Sequence, residues 1–386
     1  MIPQLLRPSP NASVRRLLGQ LAAPLDLDAY LSLLNPRWGT RLRGVIERID
    51  PVTAEAASLT IRPGRGWTGH EAGQFVTVGV DVDGVRHHRC YSITSPASGG
   101  ADPIQITVQA TEGGLVSNHL VHRARPSDVV QLSQAEGEFT LPGATVRGGD
   151  GSREWEPIAP MPPLLFVTGG SGLTPVVGML RTLAVAQDRP DVVLLHHATD
   201  PDRCLFLDEL EQLDARNDWL RVVTTFTRPG GQRPSEPGSA RVDRRRIEGL
   251  CPDWRDRDVY ACGPETLLDA VVEHCTGAGT TGEVRTERFV RGIAPAVDAT
   301  ADDRGVAHFT ASGVDIASDG ATPLLDLAEQ AGLAPASGCR MGICHTCSTR
   351  LEQGCVRDLR DGRLREAGQH VQVCVSAAVG DVALDL

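Results

Sequence analysis

Four cysteines near the end of the chain place the tightest limit on what it can fold into. Cys339, Cys344 and Cys347 follow the spacing C-x4-C-x2-C, and Cys374 lies further on. This spacing is typical of plant-type 2Fe–2S clusters, in which one loop supplies three thiolates and a distant residue supplies the fourth. The sequence therefore predicts an iron–sulfur site held by these four residues.

Small residues in the same loop fit this prediction. Ser337, Gly338 and Gly342 allow the backbone to wrap closely around a cluster, so that its N–H groups point at the sulfurs. A structural zinc site would explain the C-x2-C pair, but it would not explain the spacing between Cys339 and Cys344. A disulfide pair fits poorly with a chain that shows no secretory signal.

Composition limits the class of protein. The length of 386 residues predicts two or three domains, and a hydrophobic content of 41% allows real cores. No run of about 18 apolar residues is present, so we expect no transmembrane helix. Residues 1–10 lack the apolar stretch of a signal peptide. Ten cysteines without an export signal indicate a cytoplasmic location, and Cys355, outside the cluster spacing, is interpreted as a bystander.

The net charge also excludes one class of partner. At −11 it argues against nucleic acid, whose phosphates need a basic protein face. It favours instead a protein partner that carries a basic patch.

Residues 1–36 are predicted to form a helical N-terminal extension. Val14, Leu17, Leu18 and Leu21 recur at helical spacing, and a second apolar stripe follows before Asn35-Pro36 ends the run. We expect this extension to pack on the next domain. The alternative is a surface helix that contacts a membrane or a membrane-bound partner, for which the segment has few basic residues.

Residues 37–150 are predicted to form an antiparallel β-barrel or sandwich. Short segments that alternate apolar and polar residues are separated by turns of Gly, Pro and Asp. The clearest of these segments are 43–49, 57–62, 74–80 and 104–109. Residues 143–162 are rich in Gly, Asp, Arg and Pro, and we interpret them as a long loop or linker.

Two elements inside this region have the chemistry to bind a flavin. They are Arg89-Cys90-Tyr91-Ser92 and Gly114-Leu115-Val116-Ser117. Arg89 can neutralise a pyrophosphate, Tyr91 can pack on the ribityl chain or the ring, and Ser92 can hydrogen-bond near the flavin N5. The glycine followed by Val116-Ser117 opens a short helix whose N–H groups can hold phosphate.

Residues 160–292 are predicted to form an α/β domain with a parallel sheet. The apolar run that ends at Thr168 leads directly into a glycine turn and a helix, which is the arrangement of a phosphate-binding βα unit. The turn consists of Gly169, Gly170, Ser171, Gly172, Leu173, Thr174 and Pro175. A later strand ends at Cys262-Gly263-Pro264. We expect both turns at the carboxyl ends of parallel strands, where open α/β sheets bind ligands.

Residues 303–386 are predicted to form a small α+β domain of the β-grasp type. A hairpin near the start, a helix over 323–332 and strands near the C-terminus surround the cysteine loop. The Pro- and Ala-rich stretch 292–301 is interpreted as the linker that precedes it.

With these motifs in view, the chain resembles the ferredoxin–NADP reductase superfamily with a fused C-terminal plant-type ferredoxin. The resemblance covers about residues 37–386. It is closest to bacterial reductases that supply electrons to acyl-CoA desaturases and to other di-iron or Rieske oxygenases.

The resemblance implies roles for individual residues. FAD binding is implied for Arg89, Cys90, Tyr91, Ser92, Gly114, Val116 and Ser117. Binding of the nicotinamide nucleotide is implied for Thr168, Gly169, Gly170, Ser171, Gly172, Thr174, Pro175, Arg228, Cys262, Gly263 and Pro264. Ser92 and Cys262 are the implied catalytic residues, and Cys339, Cys344, Cys347 and Cys374 are the implied metal ligands. Phe289 is our candidate for the aromatic residue that covers the flavin, although it could equally belong to the core.

The identity of the nucleotide is less strongly determined. Thr227-Arg228 matches the pair that holds the 2′-phosphate in relatives that use NADPH, whereas Asp200 and Asp202 stand where many relatives carry an arginine. We expect NADPH, with NADH as the alternative. Ser117 at the start of a phosphate-binding helix favours FAD over FMN.

The resemblance implies an oxidoreductase that passes electrons from NADPH to FAD, then to the 2Fe–2S cluster, and then to a protein acceptor. An acyl-CoA desaturase is the expected acceptor, which would place the protein at a membrane through its partner. The alternatives are a Rieske or other ring-hydroxylating oxygenase, a cytochrome P450, and an iron–sulfur redox sensor without turnover.

Overall fold

A computed structural model describes most of the chain after residue 41. The described residues are 42–82, 85–99, 102–147, 153–157, 160–227, 244–289, 303–333, 335–338, 340, 342, 345–360 and 362–386. The predicted N-terminal extension, residues 1–36, lies outside them.

The first described unit is an antiparallel sheet of six strands. Its elements are β1 (Arg43–Thr53), β2 (Ala56–Pro63), β3 (Phe75–Val82), β4 (Val85–Ser92), β5 (Ile104–Gln109), helix α1 (Leu115–His122) and β6 (Val129–Leu132). The strand order is β4-β3-β6-β1-β2-β5. An isolated antiparallel bridge between Ile93 and Ile106 joins the two edges, so the sheet closes into the predicted barrel.

A hairpin follows the barrel, where the sequence suggested only a loop. Strand β7 (Gly143–Arg147) pairs antiparallel with β8 (Arg153–Pro157). The interpretation of residues 143–162 as an unstructured linker was therefore wrong over these two segments. The stretch contains valine, threonine and tryptophan between its glycines, and such residues support a ladder when a second strand lies beside them.

The second unit is a parallel sheet with helices packed on it, as predicted. Its elements are β9 (Leu164–Gly169), α2 (Leu173–Val185), β10 (Val192–Ala198), α3 (Leu207–Arg216), β11 (Leu220–Phe226), α4 (Arg244–Leu250), β12 (Asp258–Cys262), α5 (Glu265–Ala278) and β13 (Val284–Glu287). The strand order is β11-β10-β9-β12-β13 and every pair is parallel. The central strand β9 is buried along its whole length.

The third unit is a small mixed sheet around one helix. Its elements are β14 (Gly305–Phe309), β15 (Val314–Ser318), α6 (Leu324–Gln330), β16 (Ser348–Asp358), β17 (Leu364–Glu366), β18 (His370–Gln372) and β19 (Ser376–Leu384). Strand β14 runs parallel to β19, and the other pairs are antiparallel. The expected strand over 371–375 is broken, because residues 373–375 form a 3-10 turn that contains Cys374.

The barrel and the parallel sheet share one apolar core. Phe139 and Leu141 of the barrel belong to the same buried cluster as Phe166 and Tyr260 of the sheet. The Tyr260 hydroxyl also donates a hydrogen bond to the carbonyl of Thr140, at 3.1 Å. Burial of this apolar surface holds the two units together.

Helix α2 makes the closest approach between these two units. A Cβ atom at Gly178 would lie 2.5 Å from the carbonyl oxygen of Ile93, so the helix rests directly on the barrel backbone. One turn later, Thr182 accepts a hydrogen bond from the N–H of Ala97, at 2.9 Å. No helix among the described residues is both long enough and apolar enough to cross a bilayer.

The first prediction concerns this contact. Gly178→Ala is expected to lower the free energy of unfolding by about 1–3 kcal/mol, because the added methyl group must push the helix away from Ile93. Chemical denaturation followed by circular dichroism measures the change.

Gly277→Ala is the matched control, since this helical glycine has no atom within 4 Å of an added Cβ. The control is expected to stabilise the protein by up to about 1 kcal/mol. Equal effects of the two substitutions would contradict the close packing at Gly178.

Candidate functional site

A cavity of about 330 Å³ lies between the barrel and the parallel sheet. It is lined on the barrel side by the end of β4, by Thr107 and Gln109 of β5, and by the start of α1. On the sheet side it is lined by the glycine turn after β9 and by the end of β13. Residues predicted to bind a flavin and residues predicted to bind a nucleotide therefore line the same cavity.

The end of strand β4 forms one wall of this cavity. Arg89, Cys90, Tyr91 and Ser92 all line it, and Ser92 is buried. Burial raises the pKa of the Tyr91 hydroxyl, so this side chain stays protonated and neutral. The wall thus offers a hydroxyl, a neutral phenol and one cation.

Arg89 supplies that cation. Its described hydrogen bonds go to two main-chain carbonyls, those of His88 at 2.7 Å and Gly338 at 3.4 Å. Burial, and then the positive charge of Arg340, lower the pKa of Arg89, although a guanidinium remains protonated at neutral pH. A half-buried cation without a described carboxylate partner is suited to a phosphate.

The second predicted flavin element also lies at the cavity. Gly114, Val116 and Ser117 line it at the start of α1. The Ser117 hydroxyl accepts a hydrogen bond from the N–H of Thr111 at 3.3 Å, so it also braces the turn that leads into the helix. Val116 is buried in the barrel core and fixes the helix against the sheet.

The glycine turn after β9 faces the barrel residues across the cavity. It forms a 3-10 turn over Gly170–Gly172 and continues into α2, with Pro175 in the first turn of the helix. Ser171 and Thr174 line the cavity, and the Thr174 hydroxyl donates to the Ser171 carbonyl at 2.9 Å. Side chains of both units therefore reach the same space.

The glycine turn also touches the second predicted nucleotide turn. A Cβ atom at Gly172 would lie 2.3 Å from the carbonyl oxygen of Cys262, so only glycine fits there. A Cβ atom at Gly169 would lie 2.9 Å from the Pro264 ring, and Gly263 adopts a positive φ beside it. The structure thus brings Gly169–Gly172 and Cys262–Pro264 together at the carboxyl ends of neighbouring strands.

Cys262 lies in a row of polar side chains across the sheet. Its register partners are Thr168 on β9 and Glu287 on β13. Burial, and then the charge of Glu287, raise the pKa of the Cys262 thiol well above its ordinary value. Cys262 is therefore a neutral thiol at physiological pH, not a thiolate nucleophile.

Glu287 is a site residue that the sequence analysis missed. It lines the cavity, and burial raises its pKa to about 8. Its Oε2 atom is buried without a hydrogen-bond partner among the described residues. Its position, two residues before Phe289 at the end of a parallel strand, was the available signal.

The row of polar side chains across the sheet continues from Thr168 to His196, a second residue that the sequence did not indicate. His196 on β10 is fully buried beside Thr168, and the His196 Nδ1 atom lies 2.8 Å from the Thr168 hydroxyl. Burial, and then the neighbouring His197, lower the pKa of His196 to about 3, so the ring is neutral. This pair secures the strand end that precedes the glycine turn.

Phe289, the predicted flavin cover, is one of the cavity residues. It lines the cavity together with Glu287 and Arg288, and it also packs against the shared apolar core. Both roles foreseen for it are thus compatible with its position. Arg228 lies outside the described residues, and the neighbouring Thr227 hydroxyl at the end of β11 donates to the Thr199 carbonyl at 3.4 Å.

Two of the four predicted cluster ligands are described. Cys347 and Cys374 are both buried in the core of the third unit. The N–H of Val373 donates to the Cys347 carbonyl at 3.3 Å, so the two cysteines lie on adjoining backbone segments. Cys339 and Cys344 lie outside the described residues.

Two polar side chains hold Gly342, which lies between Cys339 and Cys344 in the sequence. The Gly342 carbonyl accepts hydrogen bonds from Arg360 at 2.6 Å and from Gln372 at 2.8 Å. Arg360 is oriented by the buried carboxylate of Asp358. Burial opposes ionisation of Asp358, but the hydrogen bonds from Arg360 outweigh it and hold the pKa of this carboxyl below its ordinary value.

The cavity and the cluster loop adjoin each other at Arg89. Its bond to the Gly338 carbonyl joins a flavin-cavity residue to the residue that precedes Cys339. On the other side of that cysteine, Arg340 pairs with Glu329 and Asp326 of α6. One residue of the barrel thus reaches into the third unit at the loop that carries the predicted ligands.

The residues present fit the expected groups. Arg89 can oppose a phosphate, and Gly170 in the glycine turn faces open space, since an added Cβ atom there would have no neighbour within 4 Å. The two described ligand residues, Cys347 and Cys374, are both buried and lie on adjoining backbone segments, which is compatible with a shared cluster.

Comparison with known proteins agrees with this geometry. Three family models match in chain order: an oxidoreductase FAD-binding domain over residues 57–141, an oxidoreductase NAD-binding domain over 166–273, and a 2Fe-2S iron-sulfur cluster binding domain over 308–379. FAD, NAD(P)H and a 2Fe–2S cluster are therefore the cofactors of this chain.

Full-length relatives share the same arrangement. An NADPH oxidoreductase of Mycobacterium tuberculosis is 40% identical over 97% of this chain and 92% of its own length. A glycine betaine monooxygenase reductase subunit of Pseudomonas aeruginosa is 27% identical over 81% of this chain and 86% of its own length.

A solved structure shows the same fold. Phthalate dioxygenase reductase, described as a modular structure for electron transfer from pyridine nucleotides to a 2Fe–2S centre, is 26% identical. It superposes with a TM-score of 0.58 over 90% of this chain and 98% of its own. With the barrel, the parallel sheet and the cluster domain in the same order, the chain belongs to the ferredoxin–NADP reductase superfamily, as an NAD(P)H-dependent flavin and 2Fe–2S reductase of the oxygenase-reductase type.

Proposed function

We propose that this protein moves electrons from NADPH through FAD to its own cluster and then to an oxygenase. The observation that carries the proposal is the position of Arg89, which lines the cavity and binds the cluster loop at Gly338. The nucleotide turn lies on the opposite side of the same cavity. The residues that would hold donor, carrier and cluster are thus arranged in the order of the transfer.

When bound, a flavin takes up two electrons as hydride and releases them singly, and a 2Fe–2S cluster carries one electron at a time. The chain supplies position and exclusion of water. The Ser92 hydroxyl lines the cavity on the barrel side, and on the sheet side the fully buried Cys262 is the register partner of the cavity residue Glu287. Burial raises the pKa of the Cys262 thiol, so neither group brings a charge to the site.

We propose that the Glu287 carboxyl group is protonated in the folded protein. Its carboxyl group is held protonated by burial at neutral pH, since its pKa is about 8. A neutral carboxyl can donate a hydrogen bond from the Oε2 side that has no described partner. Together with Cys262 it keeps the ring end of the cavity uncharged.

NADPH is the proposed donor. The support is the Thr227-Arg228 pair, which follows β11 in the sequence, together with the name of the NADPH oxidoreductase of Mycobacterium tuberculosis. Asp200, which is near this edge, already accepts a hydrogen bond from the N–H of Arg203 in a local turn, so its carboxylate is engaged. This lessens the force of the acidic residues as an argument for NADH.

An oxygenase is the proposed acceptor. The relatives whose names state a partner serve monooxygenase, demethylase or dioxygenase systems. The sequence resemblance favoured an acyl-CoA desaturase, and these comparisons support the oxygenase alternative better. The expected association with a membrane through a desaturase loses its main support for the same reason.

Reconstitution tests the acceptor. The purified reductase is combined with a Rieske oxygenase, a cytochrome P450 and an acyl-CoA desaturase, and product is measured with NADPH and with NADH. We expect turnover with the oxygenase and a higher kcat/KM for NADPH. Turnover with the desaturase alone would refute the oxygenase assignment, and a preference for NADH would refute the donor.

The cluster route gives a sharper prediction. Cys374→Ser is expected to abolish NADPH-dependent reduction of cytochrome c while leaving ferricyanide reduction near the native rate, because only the first acceptor depends on the cluster. Iron content and the two rates are measured on the same preparation.

Cys355→Ser is the matched control, since Cys355 lies outside the ligand spacing and is only half-buried. It should keep both the iron and the cytochrome c rate. A Cys374→Ser protein that reduces cytochrome c at the native rate would show that the cluster is not in the path.

The raised pKa of Glu287 predicts a pH dependence of stability. Its pKa of about 8 exceeds the ordinary value of 4.5, so the folded protein keeps a proton that the unfolded chain releases between these values. This contribution to stability is complete below about pH 4.5 and is lost as the pH rises through about 8. Glu287→Gln, which cannot ionise, should therefore flatten the fall of Tm between pH 5.5 and 8.5 by a few degrees.

The difference between native and variant proteins isolates Glu287 from the buried histidines, whose contribution is common to both. Glu211→Gln, at an exposed position of α3, is the control and should leave the slope unchanged. Parallel pH profiles for native protein and Glu287→Gln would mean that Glu287 is ionised in the folded state.

A further inference from the structure

One arginine joins three elements that shape the reaction site, yet it does not line the cavity. Arg181 lies on α2, eight residues after the helix begins at Leu173. At a rise of about 1.5 Å per residue, this places it roughly 12 Å along the helix from the glycine turn. Its side chain is mostly buried at the boundary between the parallel sheet and the barrel.

The first half of the guanidinium binds the barrel. The Arg181 Nη1 atom donates to the carbonyl of Thr94 at 2.7 Å and to Oε1 of Gln105 at 2.6 Å. Thr94 lies two residues after Ser92 on the same segment, and its N–H is tied to the Gln105 carbonyl. This arm therefore holds the backbone that carries Ser92.

The second half binds α3 of the nucleotide unit. The Arg181 Nε and Nη2 atoms donate to the two carboxylate oxygens of Glu209, each at 2.7 Å. The guanidinium also lies over the ring of Phe206, 5.1 Å from its centre. Phe206 adopts a positive φ immediately after Leu205, which lines the cavity.

All three guanidinium nitrogens of Arg181 thus donate hydrogen bonds within the protein. A planar fork with two parallel bonds to a carboxylate defines orientation as well as distance. Its partners lie on the flavin side of the site, through Thr94, and on the nucleotide side, through α2 and α3. Neighbouring residues of α2 support the same interface, since Gly178 contacts Ile93 and Thr182 binds Ala97.

We propose that Arg181 is a positioning residue that sets the distance and angle between the nicotinamide and flavin sites. The proposal rests on the proposed function, in that hydride passes between these two sites. Arg181 touches neither group. It acts by fixing the glycine turn, carried at the start of its own helix, against the barrel wall at Ser92. A displacement of about 1 Å at a reacting pair can cost about 100-fold in rate.

The test compares Arg181→Met with Arg181→Lys in the flavin-loaded protein. Rapid mixing measures the rate of flavin reduction by NADPH, and steady-state assays give KM. For Arg181→Met we expect a rate about 10- to 100-fold lower, with KM changed by less than about threefold because the glycine turn itself is intact. Arg181→Lys should recover part of the rate, since it keeps the charge but loses the fork.

A spectroscopic measurement separates positioning from loss of structure. Titration with NADP+ perturbs the visible spectrum of the bound flavin when the nicotinamide contacts the ring. We expect Arg181→Met to bind NADP+ with a similar Kd and to give a smaller spectral change, with an unchanged flavin content. A native reduction rate or a native spectral change in Arg181→Met overturns the proposal.

Arg189→Met is the matched control. Arg189 also lies over an aromatic ring, that of Trp219, but its described hydrogen bond goes to Ala186 within the nucleotide unit. It should keep the native rate, and an equal loss of rate in both variants overturns the proposal.

Gln105→Leu keeps the test decisive if Arg181→Met does not fold. This variant removes one barrel acceptor and leaves the Glu209 fork in place, so we expect a rate several-fold below native. A native rate in Gln105→Leu overturns the proposal. A native protein that does not oxidise NADPH would instead refute the proposed function, so the two failures are distinguishable.

Discussion

The contact between helix α2 and the barrel segment after Ser92 is the constraint on which the reaction site depends. The helix meets this segment at backbone distance through Gly178, and Thr182 binds it one turn later. The same helix carries the glycine turn at its other end. Because packed interiors do not deform continuously, this tight contact restricts how the two walls of the cavity can move relative to each other. The Arg181 fork adds orientation to the contact, through its hydrogen bonds to Thr94 and Glu209.

The charges of the cavity divide it into two ends. Arg89 provides positive charge at the end that adjoins the third unit, where a phosphate fits. On the sheet side, Glu287 lines the cavity and its register partner Cys262 is fully buried, and burial raises the pKa of both groups, so under the proposed function the flavin ring meets no fixed negative charge there. An ionised Glu287 would oppose the arrival of a second negative charge on a reduced ring. Burial of this carboxyl therefore serves the site, although it makes stability fall as the pH rises between about 4.5 and 8.

The sequence was sufficient wherever a function is carried by neighbouring residues. The cysteine spacing, the glycine turn from Gly169 and the Cys262-Gly263-Pro264 turn each identify their unit, and the three-part fold class is confirmed. It was insufficient wherever the partner is distant. Arg181 and Thr94 are 87 residues apart in the chain, and no local pattern links them. Glu287 looked like an ordinary acidic strand residue, because only the assembled sheet places it beside Cys262.

Local sequence patterns also failed to predict secondary structure where the composition of a segment is unlike that of the element it forms. The segment 143–157 is rich in glycine and charge, and only the ladder between β7 and β8 shows it to be a hairpin. The valines at 371, 373 and 375 alternate as in a strand, but residues 373–375 form a 3-10 turn that contains Cys374. Such a turn brings the thiol out of the alternation of a strand, so that it lies beside the segment of Cys347. Tertiary context thus overrides strand propensity at this position.

The cluster loop is held unequally on its two sides. On the side of its own domain, Gly342 accepts two short hydrogen bonds, and Arg360 is backed by the buried Asp358. On the side of the barrel, the described hydrogen bond is a single long one of 3.4 Å from Arg89 to Gly338. Among the described residues, the short hydrogen bonds to the loop come from the third unit, whereas the bond from Arg89 ties the loop to the cavity. Since an electron must cross that boundary, the bond at Gly338 matters for the placement of the loop and not for its folding.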